Sequence, residues 1–196
     1  GIYFSFLCLQ TMITMNDIST ELKQLTQNYV DLWQQESGFP PASHELYGVP
    51  SPCISRTGDN VVYWLPQPFT GRDKLEKVEK AMGIIIRPEL HDYFTTQYAG
   101  DMQVRFDSLN FTLLQIWSEE DFIRLQENMI GHLVTQKRLK LTPTLFIGTT
   151  ASENDIISVC NLSGEVILET FGQKKREVLA DNLSLFLTKL TPVFDK

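Results

Sequence analysis

Two five-residue runs of strict alternation, separated by two polar residues, constrain the fold of this chain more than any other feature. Met102, Val104 and Phe106 alternate with polar residues, as do Leu109, Phe111 and Leu113, and Asp107-Ser108 lies between the runs. A period of two puts each apolar set on one face of a strand, and the short polar link joins the strands as an antiparallel hairpin. Three more strands are expected at Thr144–Thr149, Ile156–Cys160 and Val166–Glu169, the last two joined around NLSG. Strands grouped by hairpins, without regular strand–helix–strand alternation, predict a single α+β domain. Its sheet is expected to be mainly antiparallel and mixed, with helices packed on one side.

Leu22, Leu25, Tyr29, Leu32 and Trp33 recur at helical spacing, and Gly38, Pro40 and Pro41 end that helix. The stretch Pro41–Pro52 reads as an ordered loop anchored by Tyr47 and Val49, followed by a short strand at Val61–Trp64. Thr70 with Asp73 predicts a capping box for a helix that buries Leu75, Val78 and Met82 and stops at Gly83. Ile84–Ile86 reads as a buried strand, and Pro88 as the first residue of a short helix through Tyr93. Ser118 before Glu119, Glu120 and Asp121 starts a long helix with an inner stripe of Phe122, Leu125, Met129 and Leu133. Val178, Leu179, Leu183, Phe186, Leu187 and Leu190 predict a final amphipathic helix. Lys174, Lys175 and Arg176 would then sit near its start, where the helix dipole disfavours cations.

Residues 1–14 stand apart. The chain begins with Gly, its first charge is Asp17, and Met15 is a better native start than Met12. The expectation is a non-native or mis-assigned extension of residues 1–14 ahead of a domain of residues 15–196. The apolar run in this arm is shorter than the ~20 residues a membrane span needs, and it lacks the features of a signal peptide. Such an arm would lie in an apolar groove or against a second copy, giving a homo-oligomer contact.

No motif carries an enzyme's chemistry. His44, His91, His132 and the three cysteines show no metal-ligand spacing, and neither a GxSxG elbow nor a phosphate-binding glycine loop is present. The expectation is no cofactor, no metal and no catalytic residue, with Cys160 in the core. Three cysteines, few and odd in number, suit a reducing compartment.

Charge is more informative. The formal net charge of −7 argues against bulk nucleic-acid binding. Between Glu89 and Glu127 lie eight acids, opposed by Arg105 and Arg124, whereas Lys137, Arg138 and Lys140 form one basic run and Lys174–Arg176 another. The plain reading is a solvated helix face, with Glu119, Glu120 and Asp121 serving as capping charges. The sharper one is an acidic face, built from the hairpin and the start of the following helix, that receives a basic segment. Asp101 stands out because it follows Ala99-Gly100, where a tight turn or close backbone approach is expected.

Several long motifs resemble the bacterial Syd family of SecY-interacting proteins. They are ELYGVPSPC (Glu45–Cys53), VYWLPQPFTG (Val62–Gly71), FTTQYAGDM (Phe94–Met102), TLLQIWSEEDF (Thr112–Phe122), QENMIGHLVTQKRLKLTPTLFI (Gln126–Ile147) and ISVCNLSGEV (Ile157–Val166). The resemblance runs from about Met15 to the C-terminus. It implies a SUKH-like α+β fold and a non-enzymatic protein held loosely and peripherally at the cytoplasmic side of the inner membrane. The partner it implies is SecY, the translocon channel subunit, contacted without direct membrane insertion. Such a protein would monitor or negatively regulate improperly assembled translocase. The resemblance further implies an acidic concave surface facing basic cytosolic loops, and Asp101, Glu119, Glu120, Asp121 and Glu127 lie within the matching motifs. Two alternatives remain: an immunity-type SUKH protein that neutralises a basic toxin, and a hydrolase using Asp101, His91 and the Glu119 cluster.

Overall fold

The structure is a computed structural model and describes residues 17–195. The expected N-terminal extension and its contact with a second copy therefore lie outside the described residues. The chain opens with α1 (Ile18–Ser37), capped by Asp17, whose carboxylate accepts the Ser19 N–H. The helix ends at Gly38, whose left-handed φ of 78° lets its N–H reach the Gln34 carbonyl. Its buried stripe of Ile18, Leu22, Leu25, Tyr29 and Trp33 has the expected spacing.

The strands β1 (Ala42–Ser43), β2 (Ile54–Thr57) and β3 (Val62–Trp64) form a small antiparallel sheet with β3 in the middle. Between β1 and β2 the loop is ordered, but Tyr47 and Val49 are exposed and do not anchor it. Leu46 packs on the core instead, and polar bonds to Trp117 pin the loop: Trp117 Nε1 donates to the Val49 carbonyl, and Ser51 Oγ donates to the Trp117 carbonyl. Next come β4 (Gln67–Pro68), α2 (Glu76–Met82), α3 (Pro88–Phe94) and β5 (Gln97–Tyr98), with β4 paired to β5.

Two expectations fail here. Thr70 and Asp73 do not cap α2, which begins at Glu76 after Leu75 without a side-chain cap. Ile84–Ile86 is a connector rather than a strand: Ile86 is buried, whereas Ile85 is 85% exposed. Side chains satisfy its backbone instead of a neighbouring strand, with Glu79 accepting the Ile86 N–H and Asn161 donating to the Ile85 carbonyl.

The main sheet begins with β6 (Met102–Phe106) and β7 (Leu109–Leu113), whose register pairs Phe106 with Leu109 across Asp107-Ser108, as the alternation predicts. Then follow α4 (Glu119–Arg138), β8 (Thr144–Thr149), β9 (Asp155–Cys160), β10 (Val166–Thr170), β11 (Arg176–Ala180), α5 (Leu183–Thr188) and β12 (Thr191–Pro192). The strand order is β11-β10-β9-β8-β7-β6-β12, and every ladder is antiparallel. This is the expected α+β domain. The long final helix is corrected: Val178 and Leu179 belong to β11, and α5 starts only after Asn182, whose side chain caps it through the Leu185 N–H. Lys174–Arg176 therefore occupy the β10–β11 turn and the start of β11, so the clash with a helix dipole vanishes.

Phe186 of α5 packs between Phe106 and Phe111, with centroids 5.0 and 5.8 Å away, and closes one end of the core. Among the described residues no helix is long and apolar enough to cross a membrane.

Candidate functional site: an acidic concavity around Asp101

The site is built on a buried polar chain. Gln97 Nε2 donates to Thr26 Oγ1 of α1 and to Gln115 Oε1, and Gln115 Nε2 donates to the Tyr93 hydroxyl. The Tyr93 hydroxyl donates in turn to the Leu114 carbonyl at 2.7 Å. Burial pushes the Tyr93 phenol well above its ordinary pKa, so it stays a donor. Satisfied buried networks of this kind fix backbone position. What they fix is the Leu114–Gln115 segment, and the Gln115 N–H donates to Asp101 Oδ1 at 2.8 Å.

On its other side Asp101 follows Gly100, which lies against the buried Trp64 indole. Trp64 in turn stacks on Tyr29, centroids 6.1 Å apart. Asp101 is thus aimed by a hydrogen bond from one direction and a ring contact from the other.

Asp101 borders two adjoining depressions. The larger, of about 460 Å³, has an aromatic floor of Tyr29, Trp33 and Trp64 and carries Glu45, Asp101 and Asp195, with His44 and Gln103 beside them. The smaller, of about 200 Å³, adds Asp121, Arg124, Leu125 and Phe146. Asp101 is open to solvent by area although protein surrounds it on most sides, which is what a concave position produces. Its carboxyl is pushed up to about 6, first by loss of hydration and then by the Asp121 and Glu45 carboxylates; the Gln115 N–H works the other way. Burial also raises the Tyr29 phenol, and Asp195 and Asp101 push in the same direction. Acids that push up their neighbours' pKa values form a site short of positive charge.

Of the five acids expected from sequence, the structure brings Asp101 and Asp121 together. Asp121 has a local task as well. Its Oδ2 accepts the Trp117 N–H while its own N–H donates to Ser118 Oγ, so it closes the N-terminus of α4. Glu119 borders a different depression with Arg72 and Lys77. Glu120 and Glu127 are exposed on α4 and border none of these depressions.

Glu45 and Asp195 escaped the sequence reading, as did the aromatic floor. Glu45 sits in the loop read for its apolar anchors, and Asp195 comes from the far end of the chain. The groupings expected of a hydrolase are not assembled. His91 accepts the Leu75 N–H and faces Glu79, away from Asp101 and Glu119, which border other depressions. Among the described residues no cluster of three or more His, Cys, Asp or Glu is arranged to hold a metal.

Fold and site together define an α+β domain carrying an open acidic concavity with an aromatic floor. The profile of the family described as Syd protein (SUKH-2) matches residues 19–192. Protein Syd of Yersinia enterocolitica is 60% identical over 178 residues, covering 91% of this chain and 97% of that protein. Protein Syd of Photorhabdus laumondii is 60% identical over 181 residues, covering 92% and 98%. This chain belongs to the Syd family.

Proposed function

We propose that this protein is a non-enzymatic binder of SecY at the cytoplasmic face of the inner membrane, and that its acidic concavity receives basic cytosolic loops of the channel. The observation that carries this reading is the convergence of Glu45, Asp101 and Asp195 on one aromatic-floored groove, with Asp121 at its edge. Cytosolic loops of membrane proteins carry an excess of Lys and Arg. A cation entering this groove meets carboxylates along the wall, which attract it, while the nearly buried rings of the floor hold that wall in shape. An open groove suits an extended segment better than a small substrate. By holding such loops the protein would monitor or restrain improperly assembled translocase.

Exposed ion pairs contribute only about 0–1 kcal/mol each, so the acids supply steering and selectivity, and residence needs apolar contacts as well. The test is cross-linking to purified SecY complex across a salt series. Glu45→Lys/Asp101→Lys should lower affinity at least about tenfold. Glu120→Lys/Glu127→Lys, outside the groove, should weaken it only through long-range repulsion that salt removes. Binding insensitive to salt, or equal loss from both pairs at high salt, would sink the groove as the site. Recovery of a basic toxin in place of SecY would replace this reading with the immunity-type one.

A further inference from the structure

The two basic runs, far apart in sequence, meet in space. Arg176 reaches across to donate to the Thr142 carbonyl at 2.7 Å, just beyond the end of α4. A β-carbon at Gly172 would touch Leu139 at 3.9 Å, and the Phe171 ring lies 5.9 Å from that of His132 on α4. The β10–β11 turn is therefore laid against the last turn of α4. Lys137, Arg138 and Lys140 come from one segment, Lys174, Lys175 and Arg176 from the other, with Glu177 the acid within the runs. Glu153 and Asp155 adjoin them, because the Phe171 N–H donates to the Asn154 carbonyl and the Thr170 hydroxyl to Asp155, so the pole is basic by excess. Arg176 is held by the buried Glu169; the other five cations are exposed. Between them stand exposed apolar side chains, Leu139 at 44% and Phe171 at 48%.

Helix-dipole complementation accounts for Lys137 and Arg138. It does not account for Lys174 and Lys175, which belong to a turn, or for an exposed Leu and Phe beside them. We infer that this pole of the molecule is a contact surface for an anionic lipid bilayer: the lysines and arginines meet the headgroups while Leu139 and Phe171 enter the interface. Basic side chains interleaved with exposed apolar ones fit a charged surface with an apolar interior. A nucleic-acid backbone would use the charges and leave the Leu and Phe idle. The acidic groove does not cancel the attraction. It lies at the opposite end of α4, about 25 Å along the axis from Asp121 to Lys137 at 1.5 Å per residue, against a Debye length of roughly 8 Å in physiological salt.

Flotation with channel-free vesicles tests this, comparing phosphatidylglycerol/phosphatidylcholine with phosphatidylcholine alone. At low ionic strength the anionic vesicles should bind at least about tenfold more protein, and salt should reduce the difference. Lys137→Glu/Lys140→Glu/Lys174→Glu/Lys175→Glu should abolish binding. Lys174→Gln/Lys175→Gln, confined to the exposed turn, should lower it severalfold without touching the core. Asp101→Asn should leave it intact, which separates this surface from the groove. Equal binding to both vesicle types, binding that survives the quadruple reversal, or tighter binding to a DNA duplex than to the anionic vesicles would overturn the inference.

Discussion

A β-carbon at position 100 would lie 2.5 Å from the Trp64 indole nitrogen and 2.6 Å from its Cε2, and that ring is buried. Gly100→Ala must therefore shift either the Trp64 ring or the backbone that carries Asp101. Overpacking of this kind costs about 1–3 kcal/mol, measurable by denaturant unfolding, and groove binding should fall with it. The sequence marked Ala99-Gly100 as either a tight turn or a close approach; that it is an approach, and to which ring, was a matter of tertiary contact. Asp101 was legible for the same reason. Glu45 and Asp195 were not, because nothing local in their segments distinguishes a groove wall from ordinary surface.

The raised pKa of Asp101 makes a second prediction at this scale. Its carboxyl titrates near 6 in place of 3.8, so the fold favours the protonated form. Its stabilising contribution is complete below the ordinary value and is lost as pH rises through about 6. Asp101→Asn keeps an acceptor for the Gln115 N–H and cannot ionise, so stability should depend less on pH across that window. A bound cation would pull the pKa back down, and binding near that pH should release protons. Calorimetry in two buffers of different ionisation heat reads the release directly, and it should vanish in Asp101→Asn.

At the scale of elements, Asp121 carries a capping task and a place beside Asp101 at once, and substitutions can separate them. Ser118→Ala removes the acceptor for the Asp121 N–H and should cost about 1 kcal/mol, roughly 2–4 °C in thermal unfolding for a domain of this size. Asp121→Asn retains an acceptor for the Trp117 N–H and should melt close to the parent while binding a basic partner more weakly. If the two variants lose affinity only in proportion to stability, capping is Asp121's whole role. Elements whose evidence is local were legible, as at α1 with its stripe and Gly38, and at α4 with Ser118. The final helix was misread because Val178, Leu179, Leu183, Phe186 and Leu187 satisfy helical spacing across a break. The local signals of that break were Asn182, a cap in mid-pattern, and the cations Lys174–Arg176, misplaced for a helix start. Ile84–Ile86 misled in another way: three β-branched residues suit a strand, yet Glu79 and Asn161 hold that backbone where no strand runs beside it.

For the whole molecule, net charge hides a polarity. Within the formal −7 stand an acidic concavity at one end of α4 and a basic, partly apolar pole at the other. Segregation was legible in sequence as an acidic stretch followed by basic runs. Its geometry was not, because only the sheet order brings the β10–β11 turn to the end of α4. Two poles separated by several Debye lengths should act independently on separate partners and together on one surface that presents both. In detergent-solubilised SecY complex, with no bilayer, Lys174→Gln/Lys175→Gln should leave affinity unchanged while Asp101→Lys lowers it. In membranes containing anionic lipid the same lysine pair should matter, because a weak lipid contact raises the effective concentration of the groove at the channel. Combining the two variants there should cost more than the solubilised values add up to. A lysine effect of equal size in detergent would mean that the basic pole touches the channel itself, and a double-variant cost in the membrane no larger than the solubilised one would mean that the two poles never engage at once.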